Sequence, residues 1–158
     1  MYSRPRKPFE LDRIKEENSV VEKYGLKNKK ELWKADAEIT RIRGIAKGLI
    51  TASQEEQEAF ISRLAKKGLL KDGSKIDNVL DLKQEDYLER RLQTVVFKKG
   101  LAKSANHARQ VVTHKYVKIG DRTINIPSYS VSLEEEARIS LVPMKQKAEA
   151  KPVMEPAQ

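Results

Sequence analysis

The chain has 158 residues, of which 35% are charged, 39% apolar and 6% aromatic. Lys and Arg number 32 against 23 Asp and Glu, giving a formal net charge of +9 and a pI near 9.6. Length allows one medium domain or two small ones, the lack of Cys excludes disulfides and thiolate chemistry, no window reaches the roughly 18 consecutive apolar residues of a membrane span, and no secretory signal is expected. An intracellular chain with a polyanionic partner is expected.

In chain order, residues 1–8 combine two Pro with three basic side chains and read as an extended basic arm, with Arg4, Arg6 and Lys7 suited to phosphates. Residues 10–23 read as a charged helix stopped at Gly25. Leu32, Ala35, Ile39, Ile42, Ala46 and Leu49 recur at three- and four-residue spacing, one apolar stripe of a long helix. Gly44 and Gly48 are tolerated within it. Ser53 and Glu56 have capping-box spacing ahead of a helix that buries Phe60, Ile61 and Leu64 and stops at Gly68. Residues 71–81 read as a loop. The run Gly68 to Lys75 only superficially resembles a phosphate loop, because it lacks the Gly-Lys-Ser/Thr order and a preceding strand.

Residues 84–99 read as one helix that buries Leu88, Leu92, Val95 and Val96 and turns Arg90, Arg91, Lys98 and Lys99 outward. Ser104 caps a second helix with Ala105, Ala108, Val111 and Val112 inward and His107, Arg109 and Lys115 outward. If the two helices pack antiparallel, Lys99, Lys103 and Arg109 converge near the Ser104 helix start, where backbone N–H groups favour an anion. A period of two then marks a hairpin, Val117 and Ile119 against Ile124 and Ile126, with a type II′ turn at Gly120-Asp121. Tyr129, Val131 and Leu133 alternate as a third strand. Residues 143–158 read as a mobile tail.

Charge follows this order. Residues 87–127 carry 9 basic and 2 acidic side chains, whereas residues 51–86 carry 6 and 8. His107 and His114 lack companion ligands for a metal, and no nucleophile elbow or dinucleotide fingerprint is present. Scarce aromatics argue against stacking on single strands, so shape and phosphate contacts to duplex RNA are the expected mode.

The runs Arg90-Arg91-Leu92-Gln93-Thr94, Phe97 to Ser104, Ala108 to Val112, Val117-Lys118-Ile119 and Asn125 to Tyr129 closely resemble the RNA-binding domain of the small-subunit ribosomal protein four family. Gln93, where bacterial members usually carry Asp, is similar to the archaeal and eukaryotic branch, as is the segment Lys23 to Trp33. The resemblance implies an α+β chain. It has a helical N-terminal region with a basic arm (1–87), an RNA-binding helix–loop–helix plus hairpin (88–141) and a tail (142–158). It implies RNA-binding roles for Arg90, Arg91, Lys98, Lys99, Lys103, Ser104, His107, Arg109, Gln110 and Lys115. It further implies a structural role in the cytoplasmic small subunit: binding small-subunit rRNA, nucleating assembly of the subunit body, and meeting small-subunit protein five and other subunit proteins at an interface tied to decoding fidelity. No cofactor, metal, membrane or small-molecule substrate is expected. The alternatives are an RNA-binding accessory factor and the RNA-binding part of an rRNA-modifying enzyme.

Overall fold

The computed structural model describes residues 2–71 and 73–142, so the expected tail at 143–158 lies outside the described residues. The fold is α+β, with helices leading into a small antiparallel sheet near the C-terminal end.

The first half is helical. Helix α1 (Leu11–Tyr24) ends where Gly25 turns left-handed, φ 60°, with the Leu26 N–H returning to Val21 O at 3.0 Å. Helix α2 (Lys29–Leu49) buries Leu32, Ala35, Ile39, Ile42 and Ala46, the expected stripe, with Leu49 half-buried. Nothing lies within 4 Å of a Cβ placed at Gly44 or Gly48, so both glycines are tolerated and neither seats a neighbour. Helix α3 (Gln54–Lys66) buries Leu64 and half-buries Phe60 and Ile61. Ser53 stands at its N-cap position, but the hydroxyl makes no capping hydrogen bond. The expected loop at 71–81 contains a short helix, α4 (Ile76–Leu80), because Val79 is drawn into the core formed by Ile39, Ile42, Leu64 and Leu82.

The expected single helix over 84–99 is two: α5 (Gln84–Glu89) and α6 (Leu92–Lys98). Backbone pairing with a distant segment breaks it. Leu92 N–H donates to Tyr129 O at 2.8 Å, Val131 N–H donates to Arg90 O at 2.9 Å, and Arg91 bridges Ser130 as an isolated β pair. Helix α7 (Ala105–Thr113) starts at Ser104, whose hydroxyl accepts from the His107 N–H at 3.1 Å, and buries Ala108, Val111 and Val112 as expected.

Strands β1 (Val117–Ile119) and β2 (Arg122–Thr123) form the hairpin. Gly120 has φ 58° and Asp121 does not share the positive sign, which fits the type II′ turn and not type I′. The second strand is shorter than expected, and Ile126 is 54% exposed. The expected strand through Tyr129, Val131 and Leu133 does not form beyond the Ser130 bridge. Ser132 instead opens helix α8 (Leu133–Ala137) with a complete capping box to Glu135. The third strand is β3 (Ile139–Leu141), which pairs antiparallel with β1 in the order β2-β1-β3. Val117 and Ile119 press one sheet face onto α6 and α7, closing a core with Leu92, Val95, Val96, Val111, Val112 and Ile139.

Candidate nucleic-acid interface

All three arginines of residues 87–127 expected to face solvent turn inward onto acids. Arg91 is 4% exposed and its Nη2 donates to Glu31 Oε2 at 2.6 Å. Arg109 donates from Nη2 to Glu31 Oε1 at 2.7 Å and from Nη1 to Gln93 Oε1 at 3.3 Å. Arg90, 13% exposed, pairs with Glu136 at 2.8 Å and donates to Val131 O at 3.0 Å. The physical reason is the same for each: a carboxylate from another element meets a guanidinium whose fork it can fill. The expected convergence of Lys99, Lys103 and Arg109 at the start of α7 therefore does not form. Arg109 reaches α2, and the Lys99 ammonium donates to the Glu136 carbonyl.

Glu31 and Gln93 form the joint between the helical region and the C-terminal module. Burial pushes the Glu31 carboxyl up, but hydrogen bonds and charge from Arg109 and Arg91 outweigh it and hold the group below the ordinary glutamate range. Gln93, 1% exposed, donates through Nε2 to Tyr24 O at 3.1 Å, Gly25 O at 2.8 Å and Ala105 O at 3.0 Å. A Cβ at Gly25 would lie 2.8 Å from Asn106 Oδ1 and 2.9 Å from Ala105 Cβ, so the end of α1 rests directly on the start of α7. Glu31 gave no sequence signal: it is one acid among many on a charged helix, and its partners lie 60 and 78 residues away.

The remaining residues are on the surface. Lys98 is exposed and pairs with Glu89 at 2.8 Å. Lys103 and Gln110 are exposed, Ser104 caps α7, and half-buried His107 accepts the Lys103 N–H on Nδ1 at 3.2 Å. Lys115 is exposed and has φ 64°, alone among the described non-Gly residues in that region. It sits where α7 ends, with Tyr116 N–H returning to Val111 O at 3.1 Å, the stop that Gly25 supplies for α1. Half-buried Lys118 and exposed Arg122 of the hairpin join this set, though neither was singled out from the sequence.

The arm is only partly as expected. Arg4, Arg6 and Lys7 are exposed, yet the arm is tied down. Arg13 donates to the carbonyls of Lys7 and Pro8 at 2.8 and 3.2 Å, and the Tyr2 ring lies 6.5 Å from that of Trp33. Beneath it, buried Glu17 collects Arg13 at 2.6 Å, the Trp33 indole N–H at 3.1 Å and Lys29 at 3.2 Å.

Among the described residues no three metal-ligating side chains gather, and no helix is long and apolar enough to cross a membrane. Residues 90–136 match the S4 domain family. The chain is similar to small ribosomal subunit protein uS4 of Methanothermobacter thermautotrophicus, 44% identical over 94% of this chain and 91% of that protein. It is also similar to uS4 of Methanoregula boonei, 43% identical over 88% of this chain and 80% of that one. The uS4 of Thermoplasma acidophilum is 42% identical over 88% of this chain and 73% of that one.

Proposed function

Because the chain belongs to the family of small ribosomal subunit protein uS4, of the archaeal type, we propose that it binds small-subunit rRNA as a structural constituent of the cytoplasmic small subunit. The family is structural and not enzymatic, which sets aside the reading of the chain as part of an RNA-modifying enzyme. One observation supports the RNA-binding face. Of the nine basic side chains in residues 87–127, Arg90, Arg91 and Arg109 are occupied by acids within the protein, whereas Lys98, Lys99, Lys103, Lys115, Lys118 and Arg122 remain at the surface. Duplex RNA is recognised mainly through its phosphates, 2′-hydroxyls and shape, which such a face suits. Ser104, His107 and Gln110 supply polar side chains beside it, and Arg4, Arg6 and Lys7 extend the contact from the arm.

Within this reading, residues 1–87 form the arm and helical region, residues 88–141 the RNA-binding module, and residues 142–158 a tail. Leu92 belongs to the apolar cluster of the C-terminal module and Leu88 to the cluster of Tyr24, Leu26, Leu32 and Ala35, which supports a division close to this boundary, between residues 88 and 92. Nucleation of the subunit body, contact with small-subunit protein five and a share in decoding fidelity are the finer parts of the proposal, carried by family resemblance. Sedimentation of the protein with small subunits in high salt tests the core of it. An integral constituent stays bound, and a visiting factor washes off.

A further inference from the structure

A cleft of about 760 Å³ runs between α2 and the C-terminal module. One wall is the α2 face that carries Lys34, Ala35, Glu38 and Arg41, and the other is built from Tyr87, Leu88, Arg91, Arg109, Pro127 and Ser128. The cleft is large enough for a small organic ligand and combines an apolar, partly aromatic surface with several cations. Its acids are already engaged, Glu31 by two arginines and Glu38 by Arg41 at 2.8 Å. The cations are not all satisfied. Arg91 spends only Nη2 on Glu31, and its buried Nε and Nη1 have no hydrogen-bond partner. A guanidinium with two orphaned nitrogens is a costly arrangement that an anionic acceptor relieves. Lys34 has no acid partner among the described residues, and its ammonium stands 5.9 Å from the centre of the Tyr2 ring, itself on the cleft wall.

A flat, apolar-faced body joined to an anion fits these walls, and on a protein that binds rRNA the group with that chemistry is a nucleotide. We propose that the cleft receives one unstacked nucleotide of the bound RNA, its base against Tyr87 and Pro127 and its phosphate among Lys34, Arg41 and Arg91. The proposal rests on the RNA-binding reading above and adds a stacking site to a face that otherwise reads phosphates and shape. Bases outside a helix are commonly held on aromatic rings in this way.

The test compares three probes on the full chain at one salt concentration: a short RNA duplex, the same duplex with a single bulged adenosine, and adenosine monophosphate. The bulged RNA should bind about tenfold more tightly than the perfect duplex, about 1.4 kcal/mol. Ser128→Trp fills the cleft from an exposed loop position without changing charge, and should erase that preference while leaving duplex affinity within about twofold. Lys34→Gln should reduce the preference in part and serves if the Trp variant does not fold. Equal binding of the two RNAs by wild type overturns the proposal, as does a preference that survives both substitutions. Tight binding of adenosine monophosphate without a bulge preference also overturns it, by making the cleft a free-nucleotide site. Failure to bind either RNA would instead count against the RNA-binding reading itself.

Discussion

Removing the Glu31 carboxylate leaves the guanidiniums of Arg91 and Arg109 beside each other with no counter-charge, one of them almost wholly buried. Breaking a buried pair by deleting one partner costs about 3–5 kcal/mol, so Glu31→Ala should lower stability by about 3 kcal/mol, read from urea unfolding of the full chain. A loss under about 1 kcal/mol would mean the joint is held by packing alone. The same group sets a pH dependence. Its folded carboxyl titrates below the ordinary value, so its stabilisation is complete above about pH 4.3 and is lost as pH falls through the folded value. Stability of the wild type should therefore drop more steeply below about pH 4 than that of Glu31→Gln, which has no carboxyl to titrate there. At this scale the sequence misleads for a definite reason. Arg91 and Arg109 stand in a charge-rich segment and read as solvent-facing, and only the tertiary fold brings Glu31 to them. Lys103, Ser104 and Lys115 were readable because short-range backbone rules place them at helix ends.

Helix ends also carry the contrast between two similar motifs. Ser53 and Ser132 both precede a Glu three residues on, but only Ser132 makes the reciprocal bonds. Ser132→Ala should cost about 1 kcal/mol and Ser53→Ala only a few tenths, measured by thermal melts. At the end of α7 a lysine holds a left-handed conformation that disfavours any side chain by about 1–2 kcal/mol. Lys115→Gly should thus raise stability by up to about 1 kcal/mol while weakening rRNA binding. A less stable variant would contradict the strain at this position, and one that binds as well as wild type would remove Lys115 from the proposed face. Within the module, Val95→Ala and Val111→Ala should each cost roughly 1–3 kcal/mol, since both side chains are buried in one core. Element types in the first half were legible from the apolar period and glycine stops. The break at Arg90-Arg91 and the helix at Leu133 were not, because backbone pairing between residues 90–93 and 127–131 overrides the local pattern.

Across the whole molecule, the acids on α2 and α8 withdraw Arg90, Arg91 and Arg109 from the surface and leave mainly lysines on the proposed RNA face. The fold joins its two halves through Gln93 and Glu31, so the lysine face keeps a fixed relation to the arm and to α2. Neutralising roughly five phosphates gives a log–log salt slope of about −4.5, at the duplex-DNA coefficient of about −0.9 per phosphate, and a slope shallower than about −2 would be too small for this face. The class of fold and the RNA partner were visible in the sequence because five short runs keep their order and spacing across the module. The inward arginines and the cleft were not, since both depend on where α2 packs.

Paired charge reversal tests the lysine face most directly. Lys103→Glu with Lys115→Glu alters two exposed lysines of the face, and Lys66→Glu with Lys67→Glu alters two exposed lysines at the end of α3. Both double variants, once circular dichroism shows them folded, are compared with wild type for binding a small-subunit rRNA fragment at one salt concentration. The first pair should lose about tenfold or more in affinity, about 1.4 kcal/mol, and the second clearly less. Equal losses would show that net charge alone drives binding and would contradict a localised face.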